Sequence, residues 1–533
     1  MKSPVARWKI LAGSALSIGI ALCALALVRS LSTPQTLRLP AQADTGSLER
    51  SQVLDQSLHE KMQSIRLFLA DPAQFKVESC PEVLAQIYHE LWSITPTQQS
   101  LDEIRDQMGS VVHLFFETRQ TLRSRLADFH QAGALQEPCV DQARNLMRAL
   151  RFGEEYLAEQ WAHPAPYDPK KPAPYLGGEE PYLQVPAGTG RFDVSELRSG
   201  DLLLSRGNAI TSAAIARLAK VPGQFSHLAQ LYIDPSSKKR WILEAHIEVG
   251  TTVRPYEEYA ADGNFRVMVL RMRDPEHQLL AEKAATIQFR RLKAAADRNS
   301  PVPYDFGMRL SDSSELFCSE VVYEGFQKAS QGSFTFPLFL SRIEPKNRDF
   351  VERIGVQEFQ SFLPSDLDVD PRFEVLAEWR DVSRIGDVRR KDIVLDRFYA
   401  WSDDHGYCLG SNLDAWFKKT VIWSLRRWPV FSKLLEKRFP LNMSQSLLQT
   451  VSILTALGDA LLQEAENLDQ QALRSRGLPL SFSELAASLD LTRVRDLEKY
   501  ENWQRWRKER GRGVGRYSPV RPPKPAFTHL FHP

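Results

Sequence analysis

Apolar residues at spacings of three and four dominate the first part of the chain. Leu54, Leu58, Met62, Ile65 and Leu69 form one such stripe, and Val83, Leu84, Ile87, Tyr88 and Leu91 a second. Ile104, Met108, Val111, Val112 and Phe115 follow, then Leu146, Leu150 and Leu157. A stripe at that period faces a core when the chain is helical. The pattern predicts a helical bundle over 48–162, broken at Asp71-Pro72 and Glu137-Pro138. From 191 the period shortens. "GDLLLS" is a short apolar run behind a turn. "FSHLAQLYI" alternates, with Phe225, His227, Ala229, Leu231 and Ile233 on one face. "KKRWILEAHI" follows a "DPSS" turn, so 225–247 is expected to be an antiparallel hairpin. A strand is predicted over 265–272, a helix over 275–296, another helix from Cys318, and a closing strand over 372–382. Strands and helices in blocks indicate the α+β class. Beyond 385 the pattern is again mostly helical and rich in tryptophan.

A chain of 533 residues exceeds what one hydrophobic core usually serves. The expected division is a signal anchor or signal peptide at 1–29, a polar stalk at 30–47 and the helical bundle at 48–162. A proline-rich linker at 163–190 leads to a catalytic domain at 191–384, a helical region at 385–510 and a basic, disordered tail at 511–533. The net charge of +2 makes no case for nucleic acid. "FSELAASLDLTRVRDLEKY" (482–500) resembles a helix-turn-helix only superficially, for it lacks the turn glycine.

At the N-terminus Lys2, Arg7 and Lys9 precede an uncharged run from Ile10 to Val28. As a helix it spans roughly 28 Å, near the hydrocarbon thickness of a bilayer. The basic flank predicts a single-pass inner-membrane helix with the body in the periplasm. Ala24-Leu25-Ala26 leaves a cleaved signal peptide as the alternative. Cys80 and Cys139 are a plausible disulfide in an oxidising space, or two unrelated thiols.

Cys318 stands where a helical run begins, in "ELFCSEVVYEGF". A helix N-terminus and a nearby imidazolium both favour thiolate, and the first helix amides are free to hold an oxyanion. His227 lies on one hairpin strand, and Glu244 and His246 share a face of the next. Antiparallel pairing can set His227 beside Glu244, a carboxylate able to fix the imidazole's tautomer. Taken singly, Cys318 is better explained as packing and His227 as a hydrogen-bonded core residue, and Glu244 fits an edge-strand charge with a surface partner. His405 and Cys408, in "DDHGYC", lack a four-ligand set, so no metal or cofactor is expected.

Together, "LRSGDLLLS", "FSHLAQLYI", "WILEAHI" and "VPYDFGMRLSDSSELFCSEVVYEGF" resemble the permuted branch of the NlpC-type papain-like cysteine hydrolases, the YiiX/YebB-like group. The resemblance covers roughly 195–380. It implies Cys318 as nucleophile, His227 as general base and Glu244 as the orienting third residue, with His246 the alternative third. Tyr304, Asp305, Ser319 and His246 would line the substrate site. Asp201, of the "GD" opening, is more a turn residue than a ligand. The implied function is an envelope-anchored hydrolase of amides, with peptidoglycan-like peptides as the substrate class. Lipid acyl hydrolysis or transfer, and an inactive envelope scaffold with protein partners on its helical regions, are the alternatives. "LDAWFKKTVIWSLRRW" (413–428) is a basic amphipathic helix that suits either a membrane surface or its own domain.

Overall fold

The computed structural model describes residues 57–168, 170–343, 348–410, 442–511 and 521–533. The first helices are α1 (Leu58–Ala70), α2 (Cys80–Trp92), α3 (Gln98–Glu103), α4 (Met108–Gln131) and α5 (Glu137–Ala162). Local chemistry sets their starts. Ser57 and Glu60 form a reciprocal capping box at α1, and Pro138 occupies the first turn of α5, where no amide partner is needed. A Cys80–Cys139 disulfide joins the starts of α2 and α5.

The centre is a seven-stranded sheet. Its strands are β1 (Leu183–Gln184), β2 (Leu202–Arg206), β3 (His227–Ile233), β4 (Arg240–His246), β5 (Gly250–Pro255), β6 (Arg266–Met272) and β9 (Phe373–Arg380). Their spatial order is β1-β9-β6-β2-β3-β4-β5, with every neighbouring pair antiparallel. Alternate residues serve two cores. Leu228, Leu243 and Ala245 pack with Val321, Val322 and Phe326 of α9 (Cys318–Ser330), which lies against α8 (Pro275–Asp297). Leu231 and Ile242 pack on the other face with Tyr256 and Tyr259 of α7 (Tyr256–Ala260). The short elements α6 (Ile210–Ala216), α10 (Arg348–Ile354), β7 (Ser341–Arg342) and β8 (Gln360–Ser361) fill the connections.

After the sheet come α11 (Ile385–His405), β10 (Cys408–Leu409), α12 (Gln445–Arg476), α13 (Phe482–Gly511) and β11 (Phe531–His532). The stretch likened to a helix-turn-helix is part of the unbroken α13. The tail expected to be disordered instead ends in β11, paired with β10, because Phe527 and Phe531 are buried against Phe398, Trp401 and Tyr407.

The overall class is therefore a mixed α/β fold with helical regions, and the expected transmembrane element is corrected. No helix among the described residues is long and apolar enough to cross a membrane. Even the longest, α12, carries Asp459, Glu464, Glu466 and Asp469 along its length. The single-pass inner-membrane placement, which rested on such a helix, is corrected with it. Ile10–Val28, the stalk and the amphipathic stretch 413–428 lie outside the described residues.

Candidate active site

The β3–β4 register pairs Gln230 with Leu243 and Leu231 with Ile242. Continued to the strand ends, it sets His227 opposite His246 and makes Glu244 the diagonal neighbour of His227. The β4–β5 register pairs Glu244 with Thr252 and Ile242 with Arg254, so Arg254 is the diagonal neighbour on the other side. Three side chains converge on one buried carboxylate. His227 Nε2 lies 2.7 Å from Glu244 Oε2. His246 Nε2 lies 3.1 Å from Oε1, and Arg254 Nε donates to the same Oε1 at 2.5 Å.

His227 is the first residue of β3, so its ring reaches past the strand end to the α9 side. There it bonds the Cys318 thiol. With Nε2 on Glu244, Nδ1 is the nitrogen left for sulfur. The Leu228 amide also donates to Cys318, and Ser319 Oγ lies 3.9 Å from its Sγ. Cys318 is the first residue of α9, and its side chain is buried. The early amides of that helix have no intrahelical acceptor.

The charges follow from these contacts. Burial opposes a charge on His227, but the bonds to Cys318 and Glu244 outweigh it and push the imidazole up to about 10. Burial also pushes the Cys318 thiol up; the His227 bond, aided by the Leu228 amide and Ser319, carries it below its ordinary value. Glu244 is fully buried, yet bonds from His227 and His246 hold it well below the usual carboxylate range. These contacts favour a thiolate–imidazolium pair backed by an ionised carboxylate.

The other expected site residues divide. Tyr304 is buried near Cys318, and burial together with that neighbour pushes its hydroxyl well above the ordinary range. Its loop is drawn in by Gly250, whose φ is +75° and where a Cβ would stand 2.2 Å from Val302 O. Asp305 turns back on its own loop, accepting from the amides of Gly307 (2.7 Å) and Arg309 (2.6 Å). Asp201 is not brought to the site. It precedes β2, at the end opposite Ser205, the residue that pairs with His227, and accepts from Arg271 and the Arg198 amide. Two further residues were not read from the sequence. Arg254 was missed because "GTTVRP" was not taken as a strand, although its β-branched pair behind a glycine is a strand signal. Glu320 accepts from the Phe317 amide at 2.9 Å, two residues from Cys318.

His227, Glu244 and His246 each offer one ligand atom, all within 4.8 Å of one another. A cation there would face the Arg254 guanidinium on the same carboxylate, so the set is poorly suited to a metal.

Residues 196–377 match the family model described as permuted papain-like amidase enzymes, YaeF/YiiX, C92 family. No curated protein matches the chain. A similar solved structure is that of the metalloprotein yiiX from Escherichia coli O157:H7, at 21% sequence identity, covering 33% of this chain and 95% of that one, with a TM-score of 0.25. By the family model, residues 196–377 are similar to the permuted papain-like amidases, YaeF/YiiX, C92 family, and the chain is an enzyme of that amide-hydrolysing kind.

Proposed function

We propose that the amidase works through Cys318, His227 and Glu244. The observation that carries this reading is the placement of one imidazole between a buried thiol and a buried carboxylate. The Cys318 thiolate attacks the carbonyl carbon, forming a C–S bond. Amides at the start of α9 receive the oxyanion. As the tetrahedral adduct collapses, the C–N bond breaks and His227 gives its proton to the leaving amine. Water then loses a proton to His227 and attacks the thioester, and C–S cleavage returns the thiolate. Glu244 holds the ring and stabilises the imidazolium throughout.

The substrate class proposed is a peptide amide of the peptidoglycan type, a reading that comes from the likeness to NlpC-type hydrolases. The test is parallel digestion of muropeptides and of acyl-ester and acyl-amide lipids with the unsubstituted protein, Cys318→Ala and His227→Ala. Release of a new amine from the peptides, abolished by Cys318→Ala, is the expected result. Turnover of the lipids alone would reassign the substrate. Cleavage that persists without the thiol would remove Cys318 as nucleophile.

A further inference from the structure

We infer that Arg254 is a positioning residue of this site, fixing the Glu244 carboxylate so that one oxygen is reserved for His227. The inference rests on the thiol–imidazole–carboxylate reading above and deepens it.

A carboxylate shared by two imidazoles has no intrinsic preference between them. His227 and His246 approach Glu244 from neighbouring positions, and their rings stack with centroids 5.2 Å apart. Rotation of the carboxyl group would hand either oxygen to either ring. Arg254 removes that freedom. Its Nε occupies Oε1 from the β5 side, which leaves Oε2 to His227. The guanidinium is itself held. Its far nitrogen is paired with Asp262, and its Cζ lies 5.4 Å from the Tyr259 ring centroid. Both residues follow β5 directly, so strand, α7 and loop form one local brace. A guanidinium suits this role because its donors are coplanar and fixed in direction.

The brace also balances charge. The thiolate and Glu244 place two negative charges on either side of one imidazolium, and Arg254 supplies the second positive charge. The titratable or charged groups facing Glu244 are His227 of β3, His246 of its own strand, Arg254 of β5, Tyr259 of α7 and Tyr175 of the linker. Those facing His227 are Cys318, Glu244 and His246, whose ring stacks on it. Without Arg254 the site becomes more negative, and the thiolate becomes harder to form.

The experiment is the pH profile of Cys318 carboxamidomethylation in the full chain, for the unsubstituted protein, Arg254→Met, Arg254→Lys and His227→Ala, with thermal melts of each. The midpoint is expected to rise in Arg254→Met, by less than the roughly 1–3 units of a charge in direct contact, because Arg254 acts on Cys318 only through Glu244 and His227. Arg254→Lys should restore part of that shift, since it returns charge without the fork. A purely structural role would lower the melting temperature and leave the midpoint in place. Should the midpoint stay within about 0.2 unit in both Arg254 variants while His227→Ala moves it, the positioning role is refuted and the site reading stands. A profile that His227→Ala fails to move would refute the site reading itself. If Arg254→Met does not fold, the Arg254→Lys profile decides, because a shift there requires the lost geometry.

Discussion

His227 and His246 close the open ends of β3 and β4 as a stacked pair, 5.2 Å between ring centroids, and both bond Glu244. Only His227 also bonds the Cys318 thiol. The two imidazoles are therefore unequal in their contacts although nearly equal in position. Substituting His227→Ala should lower turnover by about 10²–10⁴-fold, the usual weight of a general acid–base group. His246→Ala should cost less than about tenfold on the same reasoning. Steady-state rates on one cleaved peptide check both, and equal losses would mean that His246 takes part in proton transfer.

Thiol reactivity supplies an independent measure. Contact with His227 holds Cys318 below its ordinary value, and contact with Cys318 and Glu244 pushes His227 up to about 10, so both shifts favour the ion pair. Iodoacetamide labelling should already be fast near neutral pH. In His227→Ala the burial of Cys318 is opposed only by the Leu228 amide and Ser319, so the thiol rises and labelling at pH 6–7 should fall sharply. Mass-spectrometric quantification of the Cys318 peptide reads this directly.

Much of this site was legible in the chain before any fold was known. Period-2 alternation in "FSHLAQLYI" and "WILEAHI" put His227, Glu244 and His246 on facing strands, and the apolar run after Cys318 put the thiol at a helix start. Register was not legible, because alternation fixes a face and not an offset. For that reason His246, not Glu244, proved to be the residue directly across from His227. The role of Asp201 was equally hidden, since a buried aspartate takes its meaning from its partner, and Arg271 is distant in sequence. The C-terminal strand escaped notice because Phe527 and Phe531 sit in a basic, proline-rich setting and are held by side chains distant in sequence, the aromatic residues of α11, the adjoining Tyr407 and Asp496 of α13.

Glu320 gives a prediction with a definite sign. Burial, reinforced by Asp305 and Cys318, outweighs its bond from the Phe317 amide and pushes it up to about 9. The native state therefore holds a proton that the unfolded chain releases above its ordinary value of 4.5. Stability must fall as pH rises from that value toward 9. Glu320→Gln keeps an acceptor for the amide and carries no titratable proton. It should flatten this part of the stability profile, measured by urea unfolding at pH 5, 7 and 9. An unchanged slope would show that Glu320 is ionised in the native protein.

The Cys80–Cys139 bridge closes a loop of 59 residues between the first turns of α2 and α5. Chain-entropy reasoning assigns such a loop about 4 kcal/mol. The Cys80→Ala, Cys139→Ala double variant should unfold at lower urea by a comparable free energy, and reductant should shift the unsubstituted protein only. Because the bridge lies among the N-terminal helices, the alkylation profile of Cys318 should keep its shape in the double variant under folded conditions.

The largest stability effect is expected where those helices meet the sheet. Arg119 of α4 bonds Glu378 of β9 and Glu154 of α5. Arg151 of α5 reaches the other Glu378 oxygen at 3.0 Å and forks onto Asp368, with both bonds 2.8 Å. Arg380 of β9 pairs with Glu154, and Arg266 of β6 with Glu155. All eight side chains are buried apart from a small exposed part of Asp368 and Glu155, and the four guanidiniums meet four carboxylates. Such a set is held by its completeness. Burying charge is costly, and removal of one partner strands the rest, at about 3–5 kcal/mol. Glu378→Gln leaves Arg119 and Arg151 short of one negative charge, so it should destabilise the fold by that order. Burial works against charge on Glu378, but Arg119 and Arg151 outweigh it and hold the carboxyl well below its ordinary 4.5. Its contribution is therefore present above that value and lost as pH falls through the lowered one. Acid unfolding of Glu378→Gln should accordingly show a shallower loss of stability below pH 4.5 than the unsubstituted protein. Denaturant midpoints at pH 7 and pH 4 measure both effects. Equal midpoints at pH 7 would mean that the helices and the sheet are not held together by this cluster.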